Sequence, residues 1–146
     1  MAYPHDKVEV ILTATDGNNI LLASSTGEKG RWTCGFVPHI LRAVAVVHRA
    51  TQVTNATNEI WSIRHATKAG AASATGQQIS TLTFPSGKAQ GAVAYRSGLN
   101  TKVLPGQEII AHVTTAAGAA TRNRVILYLE PSWEQPGNVA AMVTSD

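Results

Sequence analysis

A chain of 146 residues is the size of one domain with a single sizeable core. Its 12 basic and 9 acidic residues give a net charge of +3 and an isoelectric point near 9.3. The basic residues are spread from Lys7 to Arg124 without a cluster, which excludes the concentrated footprint that nucleic-acid binding requires. The longest strongly apolar run, AVAVV at 43–47, is far too short to cross a bilayer. One cysteine, Cys34, excludes an intrachain disulfide and fits maturation in a reducing compartment. The opening MAYPHDKVEV has no apolar signal region, so synthesis in a cytoplasm and no membrane partner are expected.

Charged residues are 14% of the chain, against about 25% in an average globular protein. Ala (22) and Thr (16) fill much of the remainder, a profile that suits strands and contact surfaces. The period-two signal recurs along the chain. Residues 1–7 read as an N-terminal arm. VEVILTAT puts Val8, Val10, Leu12 and Ala14 on one face, TDGNN signals a turn, and NNILLASS follows, so 8–25 read as a hairpin. STGEKGRW reads as a loop. ILRAVAVVHRAT, residues 40–51, alternates and is rich in β-branched side chains, which favours a strand over a helix. NEIWSIRHAT sets Trp61, Ile63 and His65 against Ile60, Ser62 and Arg64.

KAGAASATGQ, residues 68–77, reads as a surface loop of small residues. QISTLTF, the turn PSGK and AQGAVAYRSG predict a second hairpin, and VLPGQEIIAHVTTAAGAATRNRVILYLEP a third, with strands near 107–115 and 123–130. The expected fold is all-β, an antiparallel β-sandwich of about eight strands over residues 8–130, with Val44, Val46, Ile110, Val113, Ile126 and Tyr128 in its core. Residues 131–146, PSWEQPGNVAAMVTSD, read as a C-terminal arm broken by Pro131, Pro136 and Gly137. Tyr3 in the first arm and Trp133, Val139, Met142 and Val143 in the second need an apolar partner surface and are the candidate partner-binding residues.

No catalytic pattern emerges. His5, His39, His48, His65 and His112 lack the spacings of zinc or iron sites. Cys34 in RWTCGF has no nucleophile signature, there is no GxSxG elbow, and the carboxylates fall mostly at turns and ends. SSTGEKGRW lacks the GxxxxGK[ST] pattern of a phosphate loop. The expectation is a binding or structural protein, not an enzyme, with no cofactor and no metal. Two alternatives stand beside it. A sugar-binding, adhesin-like or tail-associated sandwich would place an exposed Trp or Tyr beside polar groups in a groove. A cupin-like metalloenzyme would bring His48, His65 and His112 together.

The order of features, a short apolar N-terminal arm, about eight strands and the closing LPGQEIIAHVTTAAGAATRNRVILYLEP, resembles the small jelly-roll decoration or cement proteins of tailed bacteriophages. The resemblance implies a jelly-roll topology and a non-enzymatic virion protein on the capsid exterior. Such a protein binds the major capsid protein and cements contacts between its subunits. It also implies an oligomer at a symmetry axis, and the surplus of Ala, Val and Thr over charges leads to the expectation of a homo-oligomer, a trimer. Extended arms serve such a role by lying along neighbours and adding contact area.

Overall fold

A computed structural model describes residues 8–14, 21–48, 57–68, 70, 76–88, 91–117 and 122–132. Among them there is no helix. The long strands are β1 (Val8–Ile11), β4 (Gly27–Thr33), β5 (His39–His48), β6 (Glu59–Ala66), β7 (Gln77–Phe84), β8 (Val93–Arg96), β10 (Glu108–Thr115) and β11 (Arg122–Pro131). Three short pieces, β2 (Thr13–Ala14), β3 (Leu21–Leu22) and β9 (Thr101–Val103), extend the sheets. One sheet has the order β1-β11-β5-β8, with β3 also on β11 and β9 also on β5. The other is β2-β4-β10-β6-β7, and every pairing in both is antiparallel.

The two sheets form the expected all-β sandwich, closed over one apolar core. Leu41, Val44, Val46, Val125, Leu127 and Leu129 come from the first sheet, and Trp61, Ile63, Leu82, Phe84, Ile109, Ala111 and Val113 from the second. Each fully buried aliphatic side chain contributes roughly 1.5–3 kcal/mol by leaving water. Of the expected core positions, Val44, Val46 and Val113 are buried between the sheets. Ile110 is buried on the other face of its strand, beside Arg31 and Arg64. Ile126 and Tyr128 are only half-buried: Val125, Leu127 and Leu129 take the inward face of β11, and the pleat turns their neighbours outward.

Among the described residues, the strands of the three expected hairpins do not pair with one another. β1 and β3 both pair with β11, because Leu12 donates to the Val125 carbonyl at 2.9 Å and the chain then crosses to pair β2 with β4. β7 lies on β6 while β8 lies on β5 in the opposite sheet. β10 is held between β4 and β6, and β11 between β1 and β5. Strands adjacent in sequence therefore mostly cross between sheets, and pairing is nested: β6 with β7, β5 with β8, β4 with β10, β1 with β11.

STGEKGRW is also not a loop throughout, since Gly27–Thr33 is a strand. Its Glu28 and Arg31 lie on the outer face of the sheet, where Arg31 bonds both Glu28 and Glu108, so strand charges look like loop charges in sequence. A bulge at Lys29, opposite the Ala111–His112 step, further blurs the alternation.

Candidate docking end and outer groove

Both limits of the described sandwich, Val8 and Ser132, lie at the end where β4 turns into β5. That connection carries Gly35, Phe36, Val37 and Pro38, and the Phe36 side chain is 98% exposed. An aromatic ring held wholly in water is costly in apolar area, yet its loop is tightly fixed. Cys34 N–H donates to the Gln107 carbonyl at 2.8 Å, and Gly106 N–H donates to the Cys34 carbonyl at 3.0 Å. Ser132 N–H reaches the Pro38 carbonyl at 2.8 Å. His39 Nδ1 donates to the Val37 carbonyl at 2.7 Å, and the Cys34 Sγ reaches the same carbonyl at 3.2 Å.

The neighbouring turn, Leu104-Pro105-Gly106-Gln107, follows from its residue types. Proline presets φ at the second position, Gly106 takes φ +84°, and Gln107 N–H closes the turn on the Leu104 carbonyl at 2.9 Å. The Gln107 side chain then accepts from Leu104 N–H and from His65 Nε2 at 3.0 and 2.9 Å. Leu104 and Pro105 are exposed next to the Phe36 loop, so this end presents apolar side chains on a rigid frame.

Cys34 is thus a strut. Its thiol is buried against the Val37 and Val103 carbonyls, and burial pushes its pKa up against the opposing effect of a backbone hydrogen bond from His39. A thiol held protonated in this way is a poor nucleophile.

A second feature lies on the outer face of the first sheet. β5 bulges at Arg42, because Tyr128 pairs with Ala43 and Leu129 with Leu41. On the other side of β5 the partner strand is interrupted at the same level: β8 stops at Arg96 and β9 resumes at Thr101. Gly98 takes φ +73°, a left-handed conformation open to glycine, and Leu99 N–H donates to the Arg42 carbonyl at 3.0 Å. The result is a cavity of about 600 Å³. Tyr95 and Tyr128 meet there edge to face, ring centroids 6.2 Å apart and planes at 80°. Arg42 donates through Nε to Glu130 and through Nη1 to Asn100, each at 2.8 Å. Burial, then the charge of Glu9 and the nearby Tyr95, push the Tyr128 hydroxyl pKa up, which keeps it a proton donor.

The histidines of the cupin-like alternative are not brought together. His48 is buried at the far end of the core, stacked on Phe84 at 3.9 Å, with Nε2 3.3 Å from the buried Glu59 carboxylate. His65 bonds Gln107 at the Phe36 end, and His112 is on the outer face of the second sheet opposite Ser62 and Glu28. Among the described residues no three His, Cys, Asp or Glu side chains are grouped to hold a metal ion. The predicted partner-binding residues Tyr3, Trp133, Val139, Met142 and Val143 lie outside the described residues. Phe36 and Tyr95 were missed as site residues. For Phe36 the available signal was an aromatic in a Gly-Phe-Val-Pro turn, where a core residue is unexpected. Comparison of the chain with protein-family models, curated proteins and solved structures found no match.

Proposed function

We propose that this chain is a capsid decoration protein of a tailed bacteriophage, a non-enzymatic jelly roll that sits on the virion exterior and cements contacts between major capsid protein subunits. The observation that carries the reading is Phe36, fully exposed on a hydrogen-bonded loop at the end where Val8 and Ser132 lead into the two arm sequences. A loop already fixed at Cys34, Val37 and Pro38 loses little backbone freedom on binding, and aromatic anchors dominate interface energetics. The nested strand pairing supports the jelly-roll reading, because it is that of one long antiparallel ribbon rolled into two sheets.

In this reading Phe36 and Leu104 insert into the capsid surface while Tyr3, Trp133, Val139, Met142 and Val143 run along neighbouring subunits. A homotrimer multiplies each contact by avidity. The test is attachment of the purified chain to assembled heads. Wild type saturates a fixed number of sites per head, and deleting residues 1–6 or 134–146 weakens attachment with the melting temperature nearly unchanged. Truncations that unfold the sandwich would assign the arms to the core, and truncations that attach as wild type would remove them from the docking surface. Sedimentation at micromolar concentration reads the oligomer; a 15 kDa species alone would count against the trimer.

A further inference from the structure

We infer that the outer groove beside Tyr95 is a binding site for a neutral oligosaccharide, a second binding function separate from the docking end. The groove is a built feature: it exists because β5 bulges at Arg42 where the facing strand is broken between β8 and β9. Bulges of this kind re-aim a side chain, and here the re-aimed group is a guanidinium. Its volume, about 600 Å³, lies inside the roughly 300–1,000 Å³ of small-molecule sites.

The lining matches the two faces of a sugar ring. Tyr95 is 58% exposed and meets Tyr128 at nearly a right angle, so the pair forms a corner with aromatic surface open to the C–H face of a pyranose. Around that corner stand groups that bond paired hydroxyls: the Arg42 guanidinium, the Glu130 and Glu9 carboxylates, and Asn100. Arg42 commits two N–H groups to Glu130 and Asn100, which fixes its plane and leaves three of its five donors to face a ligand. The polar groups are thereby oriented before a ligand arrives, which lowers the entropy lost on binding.

Charge selects the ligand class. Two carboxylates, Glu9 and Glu130, against one guanidinium leave the groove net negative, which disfavours phosphates, sulfates and acidic sugars. A neutral saccharide uses both the aromatic face and the donor–acceptor rim, whereas a cationic peptide would use the carboxylates and leave the constrained guanidinium opposing it.

Isothermal titration of the full chain with maltohexaose, cellohexaose, N-acetylchitohexaose and hexalysine tests the proposal. Saturable binding of at least one of the three oligosaccharides is expected, weakened about tenfold or more in Tyr95→Ala and kept within about threefold in Tyr95→Phe, which retains the stacking face. Because Tyr95 is exposed, both variants melt like wild type, and Phe36→Asp binds the sugar normally, so failure here is distinct from failure of capsid docking. The proposal is overturned if no oligosaccharide binds, if Tyr95→Ala binds as tightly as wild type, or if hexalysine alone binds.

Discussion

The Cys34 thiol points its sulfur at the Val37 carbonyl, 3.2 Å away, and between these two residues Phe36 stands in water. A buried, protonated thiol and an exposed ring two positions apart assign opposite tasks to one short turn, the first to hold and the second to touch. Cys34 is therefore expected to react slowly with a thiol reagent such as dithionitrobenzoate in the folded protein and promptly in denaturant. Cys34→Ser places a strongly polar hydroxyl in the same buried site and is expected to cost about 1–2 kcal/mol. Equal reaction rates in the folded and denatured chain would contradict the strut.

Acid should loosen the outer face of the second sheet in two stages. Burial pushes the Glu108 pKa up, but hydrogen bonds from Thr33, the Gly70 N–H and Arg31, with the Arg31 charge, outweigh it, and the net shift is downward from 4.5. A carboxylate with a depressed folded pKa gives stability that is present above its unfolded value and is lost as pH falls through the folded one. For His112, burial comes first and the charges of Arg64 and Lys29 add to it, against Glu28, so its pKa is lowered from 6.5. The sign is the same: the folded state resists protonation, and stability declines as pH drops below 6.5. Chemical denaturation from pH 8 to 3 should show a first decline below pH 6.5, absent in His112→Gln, and a second below 4.5. A flat profile across both windows would remove this account.

Glu108 itself is the most demanding polar group on that face. It accepts from Arg31 at 2.7 Å, from Gly70 N–H at 2.7 Å and from Thr33. Glu108→Ala leaves the Gly70 N–H and the Thr33 hydroxyl without this acceptor, while Arg31 keeps Glu28, and is expected to destabilise by roughly 1–3 kcal/mol. Glu108→Gln keeps one acceptor oxygen and should cost about half as much. Urea melts of the two variants check the order.

At the opposite end of the core, the Trp61 indole N–H donates to the fully buried Glu59 carboxylate at 2.6 Å. His48 lies beside it with neither ring nitrogen hydrogen-bonded. Glu59→Ala leaves the buried Trp61 N–H without its acceptor and is expected to lose about 1–3 kcal/mol, whereas His48→Leu combined with Glu59→Gln, which removes the His48–Glu59 contact but retains the Trp61 acceptor, should be nearly neutral. A double variant much less stable than wild type would show that the pair is needed as it stands.

Most of the strands were legible in the sequence, because alternation is a local signal: ILRAVAVVH and EIIAHVTT carry it in adjacent residues, and both became strands. Their partners were not, because pairing between β4 and β10 or β1 and β11 joins residues about 80 to 120 positions apart, and nothing in period two records the distance. The same gap accounts for Ile126 and Tyr128, where alternation was read correctly but the inward phase was reversed. Phe36 was hidden by the rule that aromatics belong inside, and the Tyr95 groove by its assembly from β1, β5, β8 and β11, which meet only after folding. The bulge at Arg42 leaves no mark in the residue types.

The central claim is that the end of the sandwich bearing Phe36 docks on a phage head, and co-sedimentation of Phe36→Asp with assembled heads tests it most directly. Phe36 is exposed, so the substitution should leave the melting temperature unchanged. Losing a buried aromatic anchor and placing a charge in its pocket should weaken attachment at least about a hundredfold. Wild-type protein that pellets with the heads at saturating stoichiometry, and a folded Phe36→Asp variant that stays in the supernatant, is the predicted result. A folded variant that pellets as wild type does, or wild-type protein that never pellets, contradicts it.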